Sequence, residues 1–60
     1  MSAKVVIDYR DVNGRRMRAR YDKECVEVHE SGVIIVTRDG VMVAAYGPRT
    51  WTELWVEPTS

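Results

Sequence analysis

Residues 33–46 have the sequence VIIVTRDGVMVAAY, in which two apolar runs flank the pair Asp39-Gly40. Both runs are rich in β-branched residues, and both are far too short to span a bilayer. An Asp-Gly pair is typical of the two-residue type I′ turn that joins antiparallel strands. This stretch therefore predicts a β-hairpin with strands at 33–38 and 41–46.

The rest of the chain has the same character, because short β-branched and aromatic runs alternate with turns that contain glycine. No segment keeps a helical period over a useful length, and further strands are predicted at 3–11, 15–22, 25–29 and 51–57. The expected fold class is all-β, a small antiparallel meander of five to six strands that forms a half-closed SH3-like barrel or a dimeric sandwich. Residues 1–60 are expected to form a single all-β domain.

The pairing of the first two strands follows from the loop between them. A two-residue Asn-Gly turn would mix apolar and charged side chains on each face, whereas a three-residue loop at 12–14 separates them. That loop requires a left-handed Gly14. The apolar face then pairs Tyr9 with Met17, Ile7 with Ala19 and Val5 with Tyr21, and the charged face pairs Asp8 with Arg18 and Val6 with Arg20.

Two further turns set the register of the next three strands. A three-residue loop at 30–32 with a left-handed Gly32, followed by a two-residue turn at 39–40, gives one continuous apolar face. This predicted core face consists of Val26, Val28, Ile34, Val36, Val43 and Ala45. The opposite face is also apolar, which is unusual for a solvated sheet. It is therefore expected to be covered by the Trp51–Val56 segment, by the first hairpin or by a second copy of the chain. In the last case the oligomer interface is formed by Val33, Ile35, Met42, Ala44 and Tyr46.

The composition limits how such a domain is stabilised. Cys25 is the single cysteine and His29 the single histidine, so neither an intrachain disulfide nor a cofactor or metal site is expected. A chain of this length buries only about 60 % of the surface that its unfolded form exposes. A monomer is then marginal, and we expect a homodimer or higher oligomer at micromolar concentration.

Catalytic motifs and targeting signals are both missing from the sequence. No phosphate-binding loop, dinucleotide fingerprint, nucleophile elbow or zinc spacing is present. Cys25 and His29 are about 13 Å apart along one strand, which is beyond hydrogen-bond reach. We therefore expect a protein that is not an enzyme, contacts no membrane and is cytoplasmic, in keeping with a lone reduced thiol.

The charge is zero overall but is unevenly placed. Residues 1–21 hold six basic and two acidic side chains, whereas residues 22–60 hold three basic and seven acidic ones. Arg16, Arg18 and Arg20 lie on one face of the second strand, where they form either a row that meets an acidic partner or a solvated face neutralised by nearby carboxylates. Nucleic acid is not the expected partner, because no aromatic side chains interleave the row.

Two tryptophans near the end of the chain are the other candidate feature. Trp51 and Trp55 share one face of a strand by their spacing, and Arg49 follows a Gly-Pro bend just before them. They either cap the small core or form a wall for a partner, since Trp and Arg are over-represented at binding sites. We expect one to be buried and the other, Trp51, to be exposed beside Arg49.

These features predict a small non-enzymatic binding module. The expected protein is a homo-oligomeric accessory protein, of the kind that phages and mobile elements encode, which docks on another macromolecule and has a protein and a second copy of itself as partners. The alternative is an oligomeric binder of an anionic small molecule or nucleotide in an Arg/Trp-lined intersubunit cleft. The candidate binding residues are Arg16, Arg18, Arg20, Arg49, Trp51 and Trp55.

Overall fold

The computed structural model describes residues 3–58. Within them, six strands account for most of the chain and a single 3₁₀ turn follows the second strand. The expected all-β class is confirmed, and each strand lies within one residue of its predicted bounds. The strands are β1 (Lys4–Arg10), β2 (Arg16–Asp22), β3 (Val26–Val28), β4 (Ile34–Arg38), β5 (Val41–Tyr46) and β6 (Trp51–Glu57), and the 3₁₀ turn spans Lys23–Cys25.

The strands form two small antiparallel sheets of three strands each. The first sheet has the order β2-β1-β6, so the last strand returns to pair with the first. The second sheet is the meander β3-β4-β5. Both sheets are open, and β2, β6, β3 and β5 are edge strands in the described part of the chain.

The two hairpins with three-residue loops have the predicted registers, pair for pair. Gly14 has a φ of 79° and Gly32 a φ of 91°, in the left-handed region that residues with a Cβ avoid. At the third hairpin Asp39 and Gly40 both have positive φ, as a type I′ turn requires. The turn residues in the sequence therefore determine the local pairing.

A β-bulge changes the pairing of β4 with β5. The sequence predicts Val36 opposite Val43, but Val36 lies opposite Ala44 because the register shifts between Val36 and Thr37. The shift leaves one extra residue in β5 at Val43. Every residue after this point is carried to the opposite face of the sheet, because side chains alternate between faces with a period of two.

The bulge corrects the predicted faces of the second sheet. Tyr46 is buried and Ala44 packs against the core, although both were assigned to the opposite, outer face as oligomer-interface residues. Val43 and Ala45 are exposed, although the predicted register placed them in the core. Val28, at the end of the short strand β3, is also exposed.

The core lies between the two sheets and is built around two isoleucines, Ile7 of β1 and Ile34 of β4, which have no solvent exposure. The ring of Tyr9 lies 4.8 Å from the ring of Tyr46, and the hydroxyl of Tyr46 lies 2.7 Å from that of Tyr21. Burial and this hydroxyl contact raise the pKa of Tyr46. The buried cluster is Val5, Ile7, Ile34, Val36 and Tyr46, and Cys25, Val26, Trp51 and Leu54 are among the residues packed against it.

Replacing Gly32 by alanine should destabilise the fold more than replacing Gly14. Left-handed strain costs each variant roughly 1–2 kcal/mol. A Cβ at Gly32 would also lie 3.0 Å from the Cβ of Pro48, whereas no atom lies within 4 Å of a Cβ at Gly14. Urea unfolding of the two variants measures the difference, and equal losses would contradict the close approach of Gly32 to Pro48.

Candidate functional site on the outer face of the first sheet

A second bulge decides which tryptophan faces outward. The register between β1 and β6 shifts by one residue and leaves Thr52 as the extra residue of β6. Trp51 lies opposite Tyr9, whereas Trp55 lies opposite Val6. The two indoles are therefore on opposite faces of the sheet, and the prediction that they share a face is wrong.

Trp51 packs against the core, although the sequence predicts it to be the exposed tryptophan; both Trp51 and Trp55 are half-buried. The side chain of Trp51 packs against the buried cluster between the sheets. Its Nε1–H donates a hydrogen bond of 2.7 Å to the carbonyl oxygen of Gly32. This bond ties β6 to the loop between β3 and β4, so Trp51 connects the two sheets.

Trp55 occupies the outer face of the first sheet, together with the arginine row. The guanidinium carbon of Arg18 lies 5.0 Å from the centre of the Trp55 ring, which is a cation–π distance. Val6 lies between Arg20 on β2 and Trp55 on β6 and is fully buried, although it is outside the core cluster. The outer face therefore carries a second, smaller apolar centre covered by long side chains.

Carboxylates neutralise part of the arginine row. The Nε of Arg18 donates to Oδ1 of Asp8 at 2.7 Å, and its Nη2 donates to Oδ2 at 3.2 Å. The Nε of Arg20 donates to Oε1 of Glu57 at 3.1 Å. Two parallel hydrogen bonds fix the plane of a guanidinium group, so Asp8 holds Arg18 in its position by Trp55.

The unpaired positive charge lies at the hairpin end of the face. Arg16 forms no ion pair within residues 3–58. Arg10, which lies opposite Arg16, donates from Nη1 to the carbonyl oxygen of Gly14 at 3.2 Å and has no carboxylate partner in the same range. A partner that approaches this end of the sheet meets two guanidinium groups that form no ion pair within residues 3–58, although the charge of Arg16 also acts on the nearby Asp8.

A shallow cleft of about 210 Å³ is present at this end of the face. Its walls are of mixed charge, because arginines of β1 and β2 lie beside one carboxylate of β1 and one of β6. Thr52, the extra residue of the bulge in β6, also lines it. The charged side chains of the cleft are Arg10, Arg16, Arg18, Asp8 and Glu53.

Hydrogen bonding from Arg18 lowers the pKa of Asp8, and the charges of Arg18 and Arg16 add to this effect while desolvation opposes it. Lys4 lowers the pKa of Asp22 in the same way, mainly through a hydrogen bond. Each carboxylate has a lower pKa in the folded chain than in the unfolded one. Both pairs therefore stabilise the fold at pH values above the ordinary aspartate pKa, and this contribution is lost as the pH falls through the folded-state pKa.

Replacing Arg18 by methionine should return the pKa of Asp8 toward its ordinary value of 3.8. The reason is that the strongest influence on this carboxyl, the hydrogen bond from Arg18, is removed. Carboxyl-detected NMR titration measures the pKa directly. The matched control is Arg16→Met, which should produce a smaller change because Arg16 acts only through its charge; an equal change in both variants would contradict the bidentate pair.

The structure brings four of the six predicted binding residues together and separates the other two. Trp51 packs against the core on the inner face, and Arg49 is exposed in the turn between β5 and β6. The pairing of Asp8 with Arg18 follows from the predicted register, but the acidic residues of β6 come to this face only because β6 returns to β1. The residues on the outer face are Arg16, Arg18, Arg20 and Trp55, with Asp8, Glu53 and Glu57 as their acidic neighbours.

Comparison of the chain with models of protein families, with curated proteins and with solved structures finds no match. In the described range, no group of three or more histidine, cysteine, aspartate or glutamate side chains is arranged to hold a metal ion. Residues 3–58 also contain no helix with the length and apolar character needed to cross a membrane.

Proposed function

We propose that the chain is a small non-enzymatic binding module that docks on another protein through the outer face of its first sheet. The observation that carries the proposal is the contact between Arg18 and Trp55, in which Asp8 orients the guanidinium group by two hydrogen bonds. Tryptophan and arginine contribute a large share of binding free energy at protein interfaces. An arginine that is already held in place loses less side-chain entropy when a partner binds.

The charges of the face favour an acidic protein segment as the partner. Arg10 and Arg16 form no ion pair within residues 3–58 and offer positive charge at the hairpin end, and the half-buried Trp55 offers an apolar anchor on the same face. A partner with a carboxylate facing Arg16 and an apolar side chain facing Trp55 would complement both.

The alternative function, binding of an anionic small molecule or nucleotide, has less support from this face. Arg18, one of the three arginines that line the cleft, is already bonded to Asp8. The cleft, at about 210 Å³, is smaller than the roughly 300–1,000 Å³ of most small-molecule sites. A second subunit would have to supply the missing wall.

The strand arrangement supports a half-closed SH3-like barrel as the framework of this module, with a dimeric sandwich as the alternative. Only the 3₁₀ turn separates β2, an edge strand of the first sheet, from β3, an edge strand of the second, and β6 returns to β1. We place the module in the cytoplasm, where its single thiol stays reduced, and propose that it acts as a homo-oligomer.

The test compares the proteins that are captured from a cell lysate by the immobilised wild type and by three variants. The folding of each variant is first verified by circular dichroism. Trp55→Ala removes the apolar anchor. Arg16→Glu reverses the charge of an arginine that forms no ion pair within residues 3–58. Lys23→Glu is the matched control, because it makes the same charge change at an exposed residue of the 3₁₀ turn between β2 and β3. Quantitative mass spectrometry measures the amount of each captured protein.

The proposal expects a partner that wild type and Lys23→Glu retain equally and that Trp55→Ala and Arg16→Glu lose. The loss with Arg16→Glu should be reproduced in wild type by raising the salt concentration, because exposed charges are screened. Capture that is unaffected by both outer-face variants would contradict the proposal. A small anion that stays bound to wild type in native mass spectrometry would support the alternative.

A further inference from the structure

Strand β5 is an exposed edge strand that carries no charge. Val41, Met42 and Val43 are 63 %, 61 % and 51 % exposed, respectively. Three consecutive exposed apolar residues are unusual on a solvated surface. Edge strands are normally protected by lysine, other charges, proline or a β-bulge; Val41–Tyr46 has the bulge at Val43 but no charge and no proline. This strand is therefore suited to contact with another protein surface.

Met42 directs its backbone hydrogen-bonding groups toward the open edge of β5. In a two-residue hairpin the residues that flank the turn, here Arg38 and Val41, are bonded to each other. Residues of an antiparallel strand alternate between facing one neighbour and facing the other. Since Val41 faces β4, the N–H and C=O of Met42 face away from it.

Ala45 is the second residue whose backbone faces the open edge. The N–H of His29 donates to the carbonyl oxygen of Val33 at 2.9 Å, so the next bonded pair between β3 and β4 is Glu27 with Ile35. Ile35 thus uses its backbone groups toward β3. Ala45, which lies opposite Ile35 in β5, is left with its N–H and C=O facing outward.

We propose that the β5 edge binds a second copy of this chain, through antiparallel pairing of the two β5 strands around a two-fold axis. Met42 and Ala45 are placed symmetrically about the midpoint between Val43 and Ala44. Antiparallel pairing centred there sets Met42 opposite the partner's Ala45, and Ala45 opposite the partner's Met42. This reciprocity is what a two-fold interface requires. The two second sheets then join into one sheet of six strands.

Charges at the two ends of β5 also match those of a second copy. Asp39 lies in the turn before β5 and Arg49 in the turn after it, and both side chains are exposed. Neither forms an ion pair within residues 3–58. Antiparallel pairing brings the turn that holds Asp39 alongside the turn that holds the partner's Arg49, and symmetry repeats this contact. Attraction between Asp39 and the partner's Arg49 favours this antiparallel register.

This inference rests on the self-association in the proposed function and not on the docking face. Strand β5 belongs to the second sheet, whereas Trp55 and the arginine row belong to the first. A Trp55→Ala variant should therefore lose the docking partner and stay dimeric. A loss of dimerisation in Met42→Lys, with docking retained, would separate the two surfaces in the other direction.

Sedimentation velocity of the full chain, from micromolar to several hundred micromolar, tests the proposal. Wild type should form a dimer, and Met42→Lys or Val43→Lys should raise its dissociation constant by more than about tenfold, because each places two lysines at the shared edge. The matched control is Val28→Lys, since Val28 is 52 % exposed and lies on the opposite edge of the same sheet. A monomeric wild type, or equal weakening by Val28→Lys, would overturn the proposal.

Disulfide trapping tests the register in a Cys25→Ala background. The double variant with Met42→Cys and Ala45→Cys should form covalent dimers, because these positions face each other across the axis. Either single variant should not, since the two copies of one position are then three residues apart, about 10 Å, which is beyond the reach of a disulfide. Single variants that cross-link as readily as the double variant would overturn this register.

Discussion

Replacing Trp51 by alanine is expected to unfold the protein. The substitution removes the largest side chain packed against the core cluster and costs about 3–5 kcal/mol. It also leaves the carbonyl oxygen of Gly32 without the hydrogen bond from the indole Nε1–H. A domain of this length has a total unfolding free energy of roughly 3–9 kcal/mol, so the loss is comparable with the whole.

Circular dichroism and urea unfolding of Trp51→Ala measure this effect. Trp51→Phe separates the loss of packing from the loss of the hydrogen bond, because the phenyl ring keeps much of the packing but cannot donate to Gly32. The expected cost of this variant is about 1–3 kcal/mol. Trp55→Ala is the matched control on the other face and should stay folded. A folded Trp51→Ala protein together with an unfolded Trp55→Ala protein would show that the bulge at Thr52 is placed wrongly.

Replacing Ile34 by alanine is expected to have the second largest effect, a loss of about 2–5 kcal/mol. Ile34 has no solvent exposure and lies in the buried cluster between the two sheets. Truncation to a methyl group leaves a cavity that the surrounding side chains fill only in part.

Ile35 provides the matched control for this prediction. It is the next residue of the same strand and has the same side chain, but it lies on the outer face of the second sheet and is only half-buried. Ile35→Ala should cost less than about 1.5 kcal/mol in a monomer, because less apolar surface is lost. Urea unfolding at low protein concentration compares the two variants. Similar losses would contradict the assignment of the inner face of β4.

Self-association would change the outcome for Ile35. At high protein concentration any dimer contributes to the measured stability of wild type and of both variants. If the stability difference between wild type and Ile35→Ala changes with protein concentration, the outer face of the second sheet contacts another copy. The loss of stability in Ile34→Ala should be present at every concentration.

Local pairing could be predicted because it depends on residues close together in the chain. The loop with Gly14 and the loop with Gly32 each allow one register that separates apolar from charged side chains, and the structure has both registers. The pairing of Asp8 with Arg18 follows directly, and it includes the ion pair on which the candidate site depends.

The faces of β5 and β6 could not be predicted, because each strand contains a β-bulge. Neither Val43 nor Thr52 differs in local sequence from a regular strand residue, and neither of these two bulges is marked by a glycine or a proline. One extra residue reverses the face of every side chain that follows. This is why Tyr46 is found in the core and why Trp51 and Trp55 lie on opposite faces of the first sheet.

The sequence by itself determined the all-β class, the bounds of the six strands, the left-handed glycines and the register of the hairpins that no bulge interrupts. Each of these follows from steric limits and side-chain alternation over a few residues. Only the tertiary structure decided that β6 pairs with β1, where the two bulges lie, and therefore that Trp55 and not Trp51 lies with the arginine row. These features depend on how two twisted sheets pack their inner faces together, and that packing involves residues far apart in the chain.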